Sequence, residues 1–177
     1  ILDVFIEKNN RVWVATTEGF GRFDNGTWVV YNKNNSNLPD NYITSIDIDL
    51  LGNVWLSTYS SGVVKFDGVT FKVYNTGNSN LPVNRVNCVK SDQNGSILCG
   101  THGGGIAVYT PSTDGWVNHN AVTSNLLSEY VGKIVIDQKN DIWVGYLPSG
   151  GPSGVSMFNR KHFTNFNSSN SLFSGTI

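Results

Sequence analysis

Alanine and glutamate are nearly missing from this chain, with three of each in 177 residues. Both are strong helix formers, so a mostly helical fold is excluded. Charge is thin as well: 14% of residues are charged and the formal net charge is −1. Phosphate binding needs a basic surface, so nucleic acid is not an expected partner. The longest apolar runs are only a few residues, against the ~20 needed to span a bilayer, so no membrane contact is expected of this segment. Two cysteines, Cys88 and Cys99, stand outside any C-x-x-C pair and cannot make a structural zinc site alone. The three histidines (His102, His119, His162) lie far apart. No G-x-S-x-G or H-E-x-x-H is present, and the run GTHGGG at 100–105 lacks the Lys-Ser/Thr of a phosphate loop. No metal, no cofactor and no catalytic set is therefore expected. The chain opens at Ile1, its single methionine is Met157, and no signal-type segment begins it, so a processed form or a piece of a longer chain is expected.

Turn and strand formers fill the space left by the helix formers. The sequence has 23 Asn, 19 Gly, 18 Ser and 20 Val. Asn, Gly and Ser favour turns, and Val favours strands. With 39% hydrophobic residues and evenly spread aromatics, the chain has enough apolar surface to fold.

The dominant signal is an internal repeat. Ile1–Trp13 (ILDVFIEKNNRVW) and Ile43–Trp55 (ITSIDIDLLGNVW) run in one register, as do Val86–Leu98 and Val131–Trp143. The anchors Trp13, Trp55, Leu98 and Trp143 are spaced 42, 43 and 45 apart. A second set, Leu38, Leu81, Leu126 and Leu172, is spaced 43, 45 and 46 apart. A third is a glycine four residues before an aromatic: Gly19/Phe23, Gly62/Phe66, Gly105/Tyr109 and Gly154/Phe158. The ends are in phase, since Ile177 follows Leu172 as Ile43 follows Leu38. Each repeat holds four strand-like runs, in the second repeat Ile43–Asp49, Val54–Tyr59, Val63–Phe66 and Phe71–Asn75. Gly-Asn and Asn-Gly turn chemistry fills the gaps. Four strands every ~40–45 residues is the blade of a β-propeller. The expected fold is all-β: four four-stranded antiparallel blades over 1–42, 43–85, 86–130 and 131–176, making residues 1–177 one propeller segment.

The pattern N-x-L-P-x-N-x-[IV]-x-x-I-x-x-D-x-x-G-x-[IV]-W-[ILV]-[GS]-T, followed by G-[GV] and [FY]-D, resembles the two-component regulator propeller repeat. Residues 35–67 carry the best copy, NSNLPDNYITSIDIDLLGNVWLSTYSSGVVKFD. The copies decay: Leu98 stands for Trp in the third, and the fourth has Asp141 for the turn glycine, Tyr146 for Thr and an insertion over Leu147–Gly154. The resemblance implies a periplasmic or extracellular sensor region of a hybrid two-component system of the Bacteroides type, non-catalytic, responding to a carbohydrate. Secreted or surface binding proteins use the same repeats and remain an alternative. The family usually builds seven blades, so this chain is expected to be part of a larger ring, or to self-associate through its open blade faces.

The recurring aromatics read as packing between blades, because periodic apolar positions form a core. This covers the Trp series, the Phe23/Phe66/Tyr109/Phe158 series and the Tyr31/Tyr74/His119/Phe166 series, with His119 as a packed ring. Asp49, Asp92 and Asp137 precede the same turn and are expected to bind its amides. Asp47, Asp49 and Gly52 echo a calcium loop but lack the remaining ligands. Cys88 and Cys99 lie on adjacent strands, as either a disulfide or two buried thiols.

Function in repeat folds sits where repeats differ. In a meander blade, the loop after strand two and the loop leading into strand one share a face. The variable residues there are Glu18, Tyr42, Tyr59, Arg85, His102, Tyr130 and Tyr146, with Thr176 in the slot of the last repeat. They form an expected polar and aromatic rim for a small carbohydrate-like ligand or a protein partner. His102, before Gly103-Gly104-Gly105, also permits an enzyme reading, since propeller lyases use a histidine base. No carboxylate partner for it stands out in the sequence.

Overall fold

The computed structural model describes residues 1–148 and 154–167. Leu172, Thr176, Ile177 and part of the Leu147–Gly154 insertion lie outside the described residues. Sixteen strands form four antiparallel sheets, each a meander in chain order. The first sheet holds β1 (Asp3–Ile6), β2 (Val12–Thr16), β3 (Gly19–Asp24) and β4 (Thr27–Tyr31). The second holds β5 (Ile43–Ile48), β6 (Val54–Thr58), β7 (Val63–Phe66) and β8 (Phe71–Tyr74). The third holds β9 (Val86–Ser91), β10 (Ile97–Thr101), β11 (Ile106–Thr110) and β12 (Gly115–His119). One helical turn, α1 (Ala121–Ser124), leads to β13 (Val131–Ile136), β14 (Ile142–Tyr146), β15 (Val155–Phe158) and β16 (Phe163–Phe166). The strands expected for the second repeat are all present, with ends within one residue. Among the described residues no helix is long and apolar enough to cross a membrane.

The first strands of consecutive sheets abut one another, so the sheets stand side by side like blades around an axis. Side chains stitch these inner strands together. Thr44 Oγ1 donates to the Val86 carbonyl at 2.6 Å, and Asn87 Nδ2 donates to that of Val131 at 2.7 Å. Asp3 accepts from Ser45 Oγ and the Ile46 amide, and Asp47 accepts from the Ser91 amide.

The core lies between sheets. Trp13, Ala15 and Phe20 of the first sheet meet Ile46, Val54, Leu56 and Phe66 of the second. Trp55, Val63 and Tyr74 then meet Val89, Ile97, Cys99 and Tyr109 of the third. Cys88, Leu98 and Ile106 meet Ile134, Ile142, Val144 and Phe163 of the fourth. Trp55 is fully buried, its ring 5.7 Å from Tyr74 in its own sheet and 5.4 Å from Tyr109 in the next. His119 packs against Phe158 and Phe163. An inner sheet is therefore covered on both faces, which is why all five residues of β6 and of β10 are buried and the expected alternation is blurred. The outer face of the first sheet is open among the described residues. Val4, Ile6, Trp28 and Val30 of the first sheet are exposed, whereas Ile46, at the place of Val4 in the next repeat, is buried.

Cys88 and Cys99 are free and buried, so the disulfide alternative does not hold. Cys88 pairs across the ladder with Gly100, and Cys99 pairs with Val89. The two side chains thus leave opposite faces of the sheet and enter different cores. Burial pushes the Cys88 thiol up to about 11.

The turn aspartates bind amides as expected. Asp49 accepts from the Leu51 and Asn53 amides, and Asp137 accepts from those of Lys139 and Asp141. The second oxygen of each takes the Trp indole, Trp55 at 2.9 Å and Trp143 at 3.1 Å. In the first repeat Glu7 takes the Trp13 indole at 2.6 Å. The third repeat has Leu98 at that place and so no indole for its turn acid. There Arg160, from the β15–β16 turn of the next blade, reaches the buried Asp92 at 2.8 Å.

The glycine anchor has a steric cause. Gly19, Gly62 and Gly105 all have positive φ, and a Cβ on each would collide with a strand-four carbonyl, of Tyr31, Tyr74 and His119 in turn. Each amide also donates to the segment leading into the next blade, at Asn41, Asn84 and Glu129.

Gly62→Ala is expected to destabilise by about 3 kcal/mol, because strain at φ > 0 adds to the carbonyl clash. Gly68→Ala, also at positive φ but in open space, should cost about 1 kcal/mol. Equal shifts in denaturant midpoint would refute the clash. Arg160→Ala is expected to cost about 3 kcal/mol, since it strands a buried carboxylate. A variant that melts like the wild type would show that Asp92 does not need the guanidinium.

Candidate functional site

The residue after strand two and the residue leading into strand one meet at one end of the blades through the backbone. The Tyr59 amide donates to the Tyr42 carbonyl at 3.1 Å, His102 to Arg85 at 3.0 Å, and Leu147 to Tyr130 at 2.9 Å. An antiparallel bridge also pairs His102 with Tyr130, the residue that leads into the fourth blade. The shared face expected from the meander is therefore present, and it is built on strand ends rather than on long loops.

Five of the seven expected side chains form one strip. The rings of Tyr42 and Tyr59 lie 5.0 Å apart at 41°. The Arg85 guanidinium covers Tyr59, with Cζ 4.4 Å from the ring centroid. His102 follows Arg85, and its ring stands edge-on to Tyr130 at 5.1 Å. Tyr42 and Tyr59 are 38% and 43% exposed, so the strip presents aromatic surface to solvent. The Arg85 guanidinium and the phenols of Tyr42, Tyr59 and Tyr130 make no hydrogen bond to a described residue. Arg85 Nε and His102 Nδ1 are buried without a partner. Burial, and secondarily the charge of Arg85, hold the His102 imidazole below its ordinary value. It is accordingly neutral at pH 7.

Tyr146 and Glu18 do not join the strip. Tyr146 is the last residue of β14 and occupies the place of Thr16, Thr58 and Thr101, whose hydroxyls cap the Gly19, Gly62 and Gly105 carbonyls. Its hydroxyl donates to the buried Ser156 and accepts from the Leu127 amide, and burial pushes it up to about 12. A tyrosine hydroxyl that finds a partner inside the blade has no reason to face solvent. Leu147 takes the rim slot in its stead. Glu18 lies one position past the slot that Thr17 fills, and its exposed side chain forms no ion pair among the described residues.

One rim residue was not expected. Asp40 accepts from the Tyr42 amide through one oxygen and from the amide and hydroxyl of Ser60 through the other. It ties the lead-in of the second blade to the turn that carries Tyr59. An aspartate two residues before Tyr42 is a sequence signal for such a tie, since a carboxylate there can bind the amide two residues on. Among the described residues no group of three His, Cys, Asp or Glu side chains is placed to hold a metal ion.

No family model matches this sequence, and no curated protein matches it. Solved structures do. The extracellular domain of a putative hybrid two component system from B. thetaiotaomicron superposes with a TM-score of 0.77 at 21% identity, over 94% of this chain and 24% of that one. A second such extracellular domain from the same organism gives 0.76 at 21%, over 95% and 24%. Virginiamycin B lyase from Staphylococcus aureus gives 0.73 at 15%, over 94% of this chain and 55% of that one. The chain thus spans about a quarter of the two extracellular domains it matches. At these identities the likeness is one of fold, and that fold is the β-propeller of four-stranded antiparallel blades.

Proposed function

We propose that this chain is a non-catalytic, ligand-sensing part of an extracytoplasmic propeller in a bacterial two-component regulatory protein, and that the Tyr42–Tyr130 strip binds a carbohydrate. One observation carries the reading: five variable side chains gather into one strip at one end of the blades, while the recurring anchors among the described residues serve packing and backbone geometry. The fold likeness to extracellular domains of hybrid two component systems supports the sensor context, as does the repeat pattern of residues 35–67. Tyrosines present an apolar body with a polar tip, which suits a sugar ring with its hydroxyls. Binding acts by population shift, favouring one arrangement of the parent sensor over another.

The likeness to virginiamycin B lyase gives an enzyme reading its specific observation, since His102 lies on the rim. The local chemistry speaks against it. A general base is oriented by a hydrogen bond to its other nitrogen, and His102 Nδ1 has no partner. A secreted or surface binding protein would use the same strip without a signalling partner.

The test is titration calorimetry of the 177-residue chain against a panel of oligosaccharides, with chromatography of each sugar after incubation. At least one sugar is expected to bind and to be recovered intact. Tyr59→Ala should weaken it about tenfold, equivalent to about 1.4 kcal/mol. Binding indifferent to Tyr59→Ala would move the site elsewhere, and conversion of a sugar would overturn the non-catalytic reading.

A further inference from the structure

We infer that the strip takes a ligand bearing an oxyanion, a carboxylate or sulfate ester on a sugar, and that Arg85 is the residue that binds it. This rests on the rim reading above and names the class of ligand. Three other half-buried cations have found carboxylates: Arg11 meets Glu7 and Asp24, Lys90 meets Asp47, and Arg160 meets Asp92, whereas Arg22 and Lys65 lie over Trp13 and Trp55 within their own blades. Arg85 is half-buried, with no carboxylate within 4 Å among the described residues. Its Nε is enclosed without an acceptor, and the neighbouring His102 Nδ1 is in the same state.

The nearby acids do not answer this charge. Both oxygens of Asp40 are taken by Tyr42 and Ser60; Glu129 turns one oxygen to the Ala121 amide, and its other, Oε2, is enclosed without a donor and forms no ion pair with Arg85. A partly desolvated cation with no counter-charge is costly, and an anionic ligand removes that cost where a neutral one does not. Contact with the Tyr59 ring, 4.4 Å from Cζ, restrains the guanidinium before the ligand arrives. A planar fork matches two oxygens of one oxyanion. Arg22 also lacks a carboxylate and its Nε is likewise enclosed without a partner, but it lies mid-strand over Trp13 rather than at the strand ends that carry the strip.

The test compares three tetrasaccharides of one backbone by calorimetry on the 177-residue chain: neutral galactotetraose, tetragalacturonate and a sulfated galactotetraose. One charged probe is expected to bind at least tenfold more tightly than the neutral one, and to weaken as salt is raised. Which charged probe wins distinguishes carboxylate from sulfate. Arg85→Gln should abolish the preference and Arg85→Lys should keep part of it, with thermal melts confirming that each variant is folded. If Arg85→Gln fails to fold, Arg85→Lys decides, because losing the fork must still reduce the preference. Equal affinity for charged and neutral probes, with Tyr59→Ala still weakening both, overturns the oxyanion assignment and leaves the rim reading standing. A charge preference untouched by both Arg85 variants overturns it too. No Tyr59-dependent binding of any probe overturns both.

Discussion

A four-stranded sheet with apolar side chains on both faces cannot stand alone in water, and the rest of the structure follows from that. Trp55 and Val64 lie in one sheet, yet they enter different cores. Each inner sheet is therefore covered twice, and a repeat supplies the cover, because every copy carries both halves of the joint. The hydrogen bonds between inner strands set spacing rather than adhesion. They link Thr44 to Val86 and Asn87 to Val131, and they satisfy polar groups that stacking would otherwise bury unpaired.

That requirement explains how much could be read from the sequence. The blades were legible because packing repeats, so Trp, Leu and Gly return at fixed spacing. The glycine was legible as an anchor, but its reason was not: the collision of a Cβ with the Tyr74 carbonyl depends on how closely β7 passes the end of β8. Strand ends were less secure. The repeat motif puts Tyr146 in the slot of Thr58, and the ladder agrees, so it stands one residue before the rim slot of Tyr59 in which it was expected. A shift of one residue in a strand sends a side chain to the other face, and so Tyr146 finds Ser156 instead of solvent. Whether Cys88 and Cys99 shared a face turned on the same single residue of register.

The candidate site was legible as a region and only partly as residues. Packing fixes most positions of a blade, which leaves the strand ends as the places where side chains are free to differ. Tyr42, Tyr59, Arg85, His102 and Tyr130 come together there, since backbone hydrogen bonds join the two loops of that end. Asp40 was missed because its role is local and appears in one blade only. The strip thus owes its position to the repeat and its chemistry to departures from the repeat.

The pairing of Asp92 with Arg160 bears on how such a chain can change. In the other blades the turn acid is answered within its own repeat, by Trp13, Trp55 or Trp143. The third blade carries Leu98, and its acid is answered from the fourth. Those two blades have ceased to be interchangeable units. Copying the third blade alone to another place in a ring would carry along a buried carboxylate and leave its guanidinium behind. Duplication, the process that builds repeat proteins, can then move the two together but not the third alone, and a repeat that began as a module has become half of a larger one.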